Sequence, residues 1–129
     1  MMNNVMLSLK PYWGRKILSG EKTADIRKSM PHGEGPFRVL LYETRFEKGC
    51  GAVVGECVCF CAGEIRDYSD VTECSLLSVP ELAKYAGNRK IYAWFLAEVV
   101  RYSAPRPLSE FGLKRAPQSW CYVRNSKLS

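Results

Sequence analysis

Histidine is nearly absent: His32 stands alone in 129 residues. Hydrolases that grip a metal with several imidazoles are excluded by that count, and a Ser-His-Asp or Cys-His arrangement would have to rest on this one residue. His32 lies in Ser29-Met30-Pro31-His32-Gly33-Glu34-Gly35-Pro36, a stretch of helix and strand breakers, so it reads as a surface loop residue. No Cys-x2-Cys pair occurs among Cys50, Cys57, Cys59, Cys61, Cys74 and Cys121. Cys57, Cys59 and Cys61 recur at period two, which turns all three to one face of a strand, roughly 7 Å apart in succession. A tetrahedral zinc site needs its ligands about 2.3 Å from one ion, so no metal is expected and small buried residues are. Six cysteines without a secretory leader do not imply disulfides. Apolar runs fall far short of the roughly 18 residues of a membrane span. Met1-Met2-Asn3-Asn4-Val5 lacks the basic start and long apolar stretch of a signal peptide. A soluble, cytoplasmic protein without membrane contact is expected. Internal repeats and low-complexity tracts are also missing.

What is present is an ordinary globular balance, 47% apolar and 25% charged, which at this length supports one core without staples. We expect a single domain over residues 1–125 and a frayed tail at 126–129. The net charge of +6 is unevenly spread. Residues 1–48 hold nine Lys/Arg against five Asp/Glu, residues 49–86 two against six, and residues 87–129 eight against two. Two basic ends folded onto one face suit a polyanion such as nucleic acid. A basic surface that merely aids solubility has the same composition.

The chain is organised around Ser19-Gly20-Glu21-Lys22-Thr23-Ala24-Asp25-Ile26-Arg27-Lys28. Pro11 suits the first turn of a helix, and Tyr12, Trp13, Lys16, Ile17 and Leu18 can form one stripe. Gly20 is placed to end that helix in the left-handed region. Thr23 to Arg27 then alternates as a half-buried strand, so Lys22, a carboxylate and Arg27 meet at a helix-to-strand junction. Further strands are expected at Val5–Leu9, at Phe37–Glu43 with an apolar run that suggests burial on both faces, and at Ala52–Cys61 with a bend at Gly55. Ile91–Tyr102 is the strongest strand, and Gln118–Val123 closes the chain. Pro80–Ala86 reads as a short helix and Pro105–Gly112 as an extended connector with a turn. Residues 63–78 are polar and show no period.

With histidine scarce, chemistry falls to lysine, tyrosine, serine and carboxylates. Cleaving an RNA phosphodiester needs a base for the 2′-hydroxyl, an acid for the leaving oxygen and a cation for the developing charge. Tyr42, Lys48 and Ser119, with Lys22 and Arg27, cover those roles without a metal. The same residues also serve as solvated lysines and a core tyrosine. Tyr12, Trp13, Tyr42, Tyr92, Trp94, Trp120 and Tyr122 lie near basic residues in sequence, and an unstacked base can lie on such a ring.

Ser8-Leu9-Lys10-Pro11, Ile17-Leu18-Ser19-Gly20-Glu21-Lys22-Thr23 and Ile26-Arg27 together resemble the opening signature of the ASCH (activating signal cointegrator homology) domain, a family of the PUA-like superfamily. Val39–Glu43 followed by Val53-Val54-Gly55-Glu56 is similar to its next two strands, and Tyr85-Ala86-Gly87 with Ala93-Trp94 continues the likeness. Lys114-Arg115-Ala116-Pro117-Gln118-Ser119-Trp120-Cys121-Tyr122-Val123 resembles a branch common in phage and bacterial members. The resemblance implies an α+β fold, a small mixed PUA-like β-barrel of five to six strands flanked by short helices, with a cleft beside the Gly-x-Lys segment. It implies an RNA-related role and no cofactor. Family ribonucleases use a tyrosine, a lysine in the loop that follows and a late serine, which by position match Tyr42, Lys48 and Ser119. Lys22, Arg27, Trp13 and Arg115 are then the expected nucleotide contacts. A smaller branch hydrolyses acetylated cytidine with the Gly-x-Lys lysine, a threonine three residues on and a later glutamate. Lys22 matches the first of these, Asp25 stands in place of the threonine, and Glu81 is the nearest glutamate.

Three functions follow, in this order: a metal-independent ribonuclease acting on single-stranded RNA; a non-catalytic module that binds RNA or a modified base; and an amidohydrolase of modified nucleosides using Lys22, Asp25 and Glu81, with the Glu81 acid at a raised pKa.

Overall fold

Two neighbouring strands buried on both faces organise the molecule. The computed structural model describes residues 3–33 and 35–124; the expected tail at 126–129 lies outside them. In chain order the elements are β1 (Asn3–Leu9), α1 (Pro11–Leu18), β2 (Ala24–Arg27), β3 (Phe37–Glu43), β4 (Ala52–Glu64), α2 (Thr72–Ser75), α3 (Val79–Ala86), β5 (Tyr92–Arg106) and β6 (Trp120–Val123), with 3-10 turns at Phe46–Lys48, Tyr68–Val71 and Leu108–Phe111. The strands form one sheet in the order β2-β5-β4-β3-β1-β6. β1 and β3 run parallel, from Asn3 opposite Phe37 to Leu9 opposite Glu43, and the other pairings are antiparallel. The sheet is mixed and curled into a half-barrel flanked by short helices, the α+β class expected.

The parallel pair explains its own composition. Val5, Leu7 and Leu9 of β1 and Val39 and Leu41 of β3 enter the main core with Ile17, Cys57, Cys59, Trp94 and Leu96. Met6, Leu40 and Tyr42 face the other way, into a second core with Val53, Phe111 and Val123. A strand covered on both sides reads as a continuous apolar run. A third cluster joins α3 to the sheet through Leu82, Ala86, Ile91 and Ile26. No helix among the described residues is long and apolar enough to cross a membrane.

Three expectations need correction. Cys57 and Cys59 are buried but Cys61 is exposed, because the β4–β5 register shifts between Cys59 and Cys61 and ends the two-residue alternation. β5 runs through Arg106, beyond the expected end at Tyr102, and Arg106 pairs with Val53. Pro105 is tolerated there because β2 pairs with β5 only from Tyr92 to Phe95, which leaves the far end of β5 an edge. The aperiodic residues 63–78 hold the end of β4, a 3-10 turn and α2.

Gly55 lets three elements close together. A Cβ there would stand 2.5 Å from the Val100 carbonyl oxygen and 2.8 Å from Leu18 Cδ2, so β5 and α1 both press on it. Gly63, on the same strand, has nothing within 4 Å of its virtual Cβ. Gly55→Ala is expected to lower unfolding free energy by about 1–3 kcal/mol, and Gly63→Ala to be neutral or slightly stabilising. Urea unfolding of the two variants makes the comparison; equal midpoints would contradict the packing argument.

Candidate functional site

The site begins where α1 stops. Pro11 occupies its first turn, Ser19 caps its C-terminus, and Gly20 follows at φ 84°, a region open to glycine. The turn brings the Lys22 amide to the Lys16 carbonyl at 2.9 Å. Thr23 then bonds outward on both sides, its amide to Cys74 O and its carbonyl to Leu96 N, each at 2.9 Å. The Lys22 side chain is thereby carried inward and is only 3% exposed. Its Nζ donates to the Ser75 carbonyl at 2.5 Å and lies 4.6 Å from the centre of the Trp13 ring. Burial pushes its pKa down, partly offset by the charge of Asp25.

β2 supplies the next two groups. Asp25 and Arg27, two residues apart, share a face of the strand. Asp25 is 4% exposed, and its Oδ2 accepts from Arg27 Nε at 2.6 Å. The rest of the guanidinium reaches across the half-barrel, to Ser8 O at 2.8 Å and to Ser119 O and Oγ at 3.4 and 3.3 Å. Ser8 in turn holds that segment, its amide on Ser119 O and its hydroxyl on Pro117 O.

These groups open onto a cleft of about 890 Å³. Its floor has Trp13, Lys22, Asp25 and Arg27; Ser8, Leu9 and Gln118 form one side; Thr44 and Phe46 form another; and Glu81, Lys84 and Tyr85 of α3 close it. The α3 residues stand at i, i+3 and i+4, one helical face. Three lysines of the cleft each lie against an aromatic ring of the cleft: Lys22 on Trp13, Lys10 on Phe46 at 4.6 Å and Lys28 on Tyr85 at 4.9 Å. Phe46 is 49% and Tyr85 39% exposed, so both rings present area to a ligand. Thr44 Oγ1 is buried in the cleft wall without a hydrogen-bond partner.

The sequence candidates separate. Lys22, Asp25, Arg27, Trp13 and Glu81 line the cleft, and Ser119 touches Arg27. Tyr42 is 7% exposed and packs in the second core with Met6 and Phe111. Lys48 is exposed at φ 68°, directly after Glu47 at φ 46°. Neither Tyr42 nor Lys48 lines the cleft, although Thr44 and Phe46 between them do. Arg115 is exposed and outside the lining. The expectation of a raised Glu81 pKa is corrected: Glu81 is the capping-box residue of α3, and hydrogen bonds with the Ser78 backbone and hydroxyl lower it.

Phe46, Tyr85, Lys10, Lys28 and Thr44 escaped the sequence reading. An apolar ring inside the polar Thr44–Gly51 loop was the available signal for Phe46, and the Glu81-x-x-Lys84-Tyr85 spacing for the α3 face. By contrast, Trp94 and Trp120 hold the Ser29 loop, donating from their indole nitrogens to Ser29 O and Ser29 Oγ at 3.1 and 2.9 Å. Tyr122 accepts from the His32 amide at 2.8 Å. Among the described residues no cluster of His, Cys, Asp and Glu side chains is arranged to hold a metal ion.

No family model matches the sequence, and neither does any curated protein. Solved structures do match. A serine-to-alanine variant of an ASCH protein from Zymomonas mobilis is 22% identical, with a TM-score of 0.81, covering 97% of this chain and 91% of that one. The ASCH structure from the same organism without a stated substitution gives 0.79 at 22% identity, covering 97% and 90%. The N-terminal domain of Staphylothermus marinus McrB gives 0.56 at 10% identity, covering 97% and 90%. At these identities the likeness is one of fold, and the chain has the fold of the ASCH domain.

Two outcomes follow from the geometry. Arg27→Lys keeps a charge but loses the fork that reaches Ser8 and Ser119 as well as Asp25, and should cost about 2 kcal/mol in urea unfolding; an unchanged midpoint would contradict the bridging role. For Lys22, the folded state disfavours the ammonium, so its pKa lies below the unfolded value near 10.4. The cost of burying the charge is in full force below the folded-state pKa and is relieved as pH rises from there towards the unfolded value. Carbon-detected NMR of the lysine Cε signals should show one, absent in Lys22→Met, titrating below the ordinary range.

Proposed function

We propose that the protein binds single-stranded RNA through this cleft, holding one unstacked nucleotide against its rings while flanking phosphates meet its lysines. The observation that carries the reading is the set of three lysine–aromatic pairs around one cavity. Rings offer stacking area to any base, and the neighbouring ammonium groups offer charge to the backbone. Buried Lys22 supplies a fixed donor in a region of low polarity, where a charge-assisted hydrogen bond is stronger than in water. A cytoplasmic setting suits this reading.

Affinity should fall with salt, with a logarithmic slope near −0.7 per neutralised phosphate. Lys10→Gln and Lys28→Gln should each flatten the slope by about one such contact. Phe46→Ala should cost about 1–3 kcal/mol of binding from lost stacking, with little change in thermal stability because the ring is half exposed. Fluorescence anisotropy against a labelled oligonucleotide reads both effects. Salt-independent binding, or full affinity in Phe46→Ala, would sink the proposal.

A second reading, metal-independent ribonuclease action by Tyr42, Lys48 and Ser119, is favoured by two observations. Successive left-handed residues at Glu47 and Lys48 hold the lysine in a costly backbone conformation, as functional loops often do. Ser119 is also fixed by Arg27, a cation suited to a developing phosphorane charge. It predicts cleavage of labelled single-stranded RNA in EDTA, reduced at least about 100-fold by Lys48→Ala. Intact RNA after prolonged incubation with wild-type protein would leave binding as the function. The amidohydrolase reading has Lys22 in the cleft, but Asp25 stands in place of the expected threonine and Glu81 is engaged by its own helix start.

A further inference from the structure

The cleft carries an arrangement of polar atoms that its protein contacts do not use up. Asp25 is buried, lines the cleft and is anchored through Oδ2 alone; among the described residues its Oδ1 accepts from nothing. Thr44, on the cleft wall, keeps its Oγ1 buried without a partner. Lys22 Nζ has three N–H groups and gives one to Ser75 O. The floor thus presents a held carboxylate and a held ammonium, between rings on which a flat ligand can lie. Arg27, beside it on the floor, keeps the carboxylate in place, so the acceptor is fixed before any ligand arrives.

The base edges differ in how they meet such a floor. Uracil shows one N–H between two carbonyls, and a carbonyl set against a carboxylate is repelled. Adenine and cytosine each show a single amino group beside a ring nitrogen that accepts. Guanine alone offers two adjacent donors, N1–H and the 2-amino group, with the O6 acceptor beside them. Two adjacent donors match a carboxylate, and a carbonyl oxygen matches an ammonium. We propose that the cleft selects guanine, with Asp25 accepting from N1–H and the 2-amino group and Lys22 donating to O6. This rests on the RNA-binding reading above and names the base that reading leaves open. Uracil is rejected by the carboxylate as much as guanine is attracted, the two halves that specificity requires.

The test uses the full chain and fluorescence-labelled uridine heptamers carrying guanine, inosine, adenine, cytosine or uracil at the centre. Guanine is expected to bind about tenfold or more tighter than adenine, cytosine and uracil. Inosine, which lacks only the 2-amino group, should fall between. Asp25→Asn should abolish the preference for guanine over the other four bases. Should that variant fail to fold once the Arg27 ion pair is gone, the wild-type comparison of guanine with inosine decides alone. Equal affinity for the five, preference for another base, or equal binding of guanine and inosine overturns the guanine assignment and leaves RNA binding standing. Failure to bind any heptamer overturns both.

Discussion

The guanidinium of Arg27 is the tie on which the shape of the molecule at its open end depends. β2 is a four-residue edge strand that pairs only with β5, and β6 is the opposite edge, pairing only with β1. Among the described residues β2 and β6 do not pair, so the sheet is not closed through backbone hydrogen bonds there. Arg27 closes it instead, from β2 to the β1 carbonyl of Ser8 and to Ser119 just ahead of β6. A planar group with five donors in fixed directions can span three acceptors on separate segments; a lysine ammonium at the same place would meet only some of them. The side chain is 14% exposed, and taking a charge that far from water is unfavourable unless its donors are met. Here Asp25 and the carbonyls meet them.

Behind this tie the electrostatics are graded by depth. Lys22 is deepest and is held by a carbonyl and a ring face rather than by a carboxylate in contact. Lys10 and Lys28 are exposed, with their ammonium groups over the Phe46 and Tyr85 rings. A cation over a ring face is attracted by the ring quadrupole, which helps to order an exposed lysine. The acidic middle of the chain is set largely apart: Glu64 and Asp67 line a separate surface hollow with Arg66, Arg89 and Lys90. The cations of the cleft, Lys10, Lys22, Arg27 and Lys28, come from the first basic segment, with Lys84 added from the middle of the chain; among the described residues the basic C-terminal segment contributes none.

Much of this was legible residue by residue, and the reasons for success and failure are physical. The apolar run of β3 announced burial on both faces, and Gly20 announced a helix end, because each depends on local chemistry alone. Lys22 and Arg27 were found by their place at a helix-to-strand junction, and Ser119 by resemblance. Phe46 and Tyr85 were missed because their role comes from a loop and a helix that meet only in three dimensions. Thr44 was invisible for the same reason, since a missing partner is a property of the fold. The cysteine alternation misled at Cys61 because a register shift depends on the partner strand. The fifteen-residue length of β5 was underread because a proline stops a strand only where both sides are paired. Local signals locate elements and termini; the neighbours of a side chain must come from the assembled sheet.

The side chains of the cleft floor are braced by the protein's own contacts. Asp25 is held by Arg27, Arg27 by Ser8 and Ser119, and Lys22 by Ser75. An incoming ligand therefore has few floor side chains to immobilise, and that entropic cost of association is small there. The heat-capacity change of binding should then track the apolar surface of the ring walls and the ligand, with little added from folding of the protein around it. In thermodynamic terms this is a rigid floor with an adjustable rim, in which the Phe46 loop and Lys84 of α3 are the parts left to accommodate different ligands.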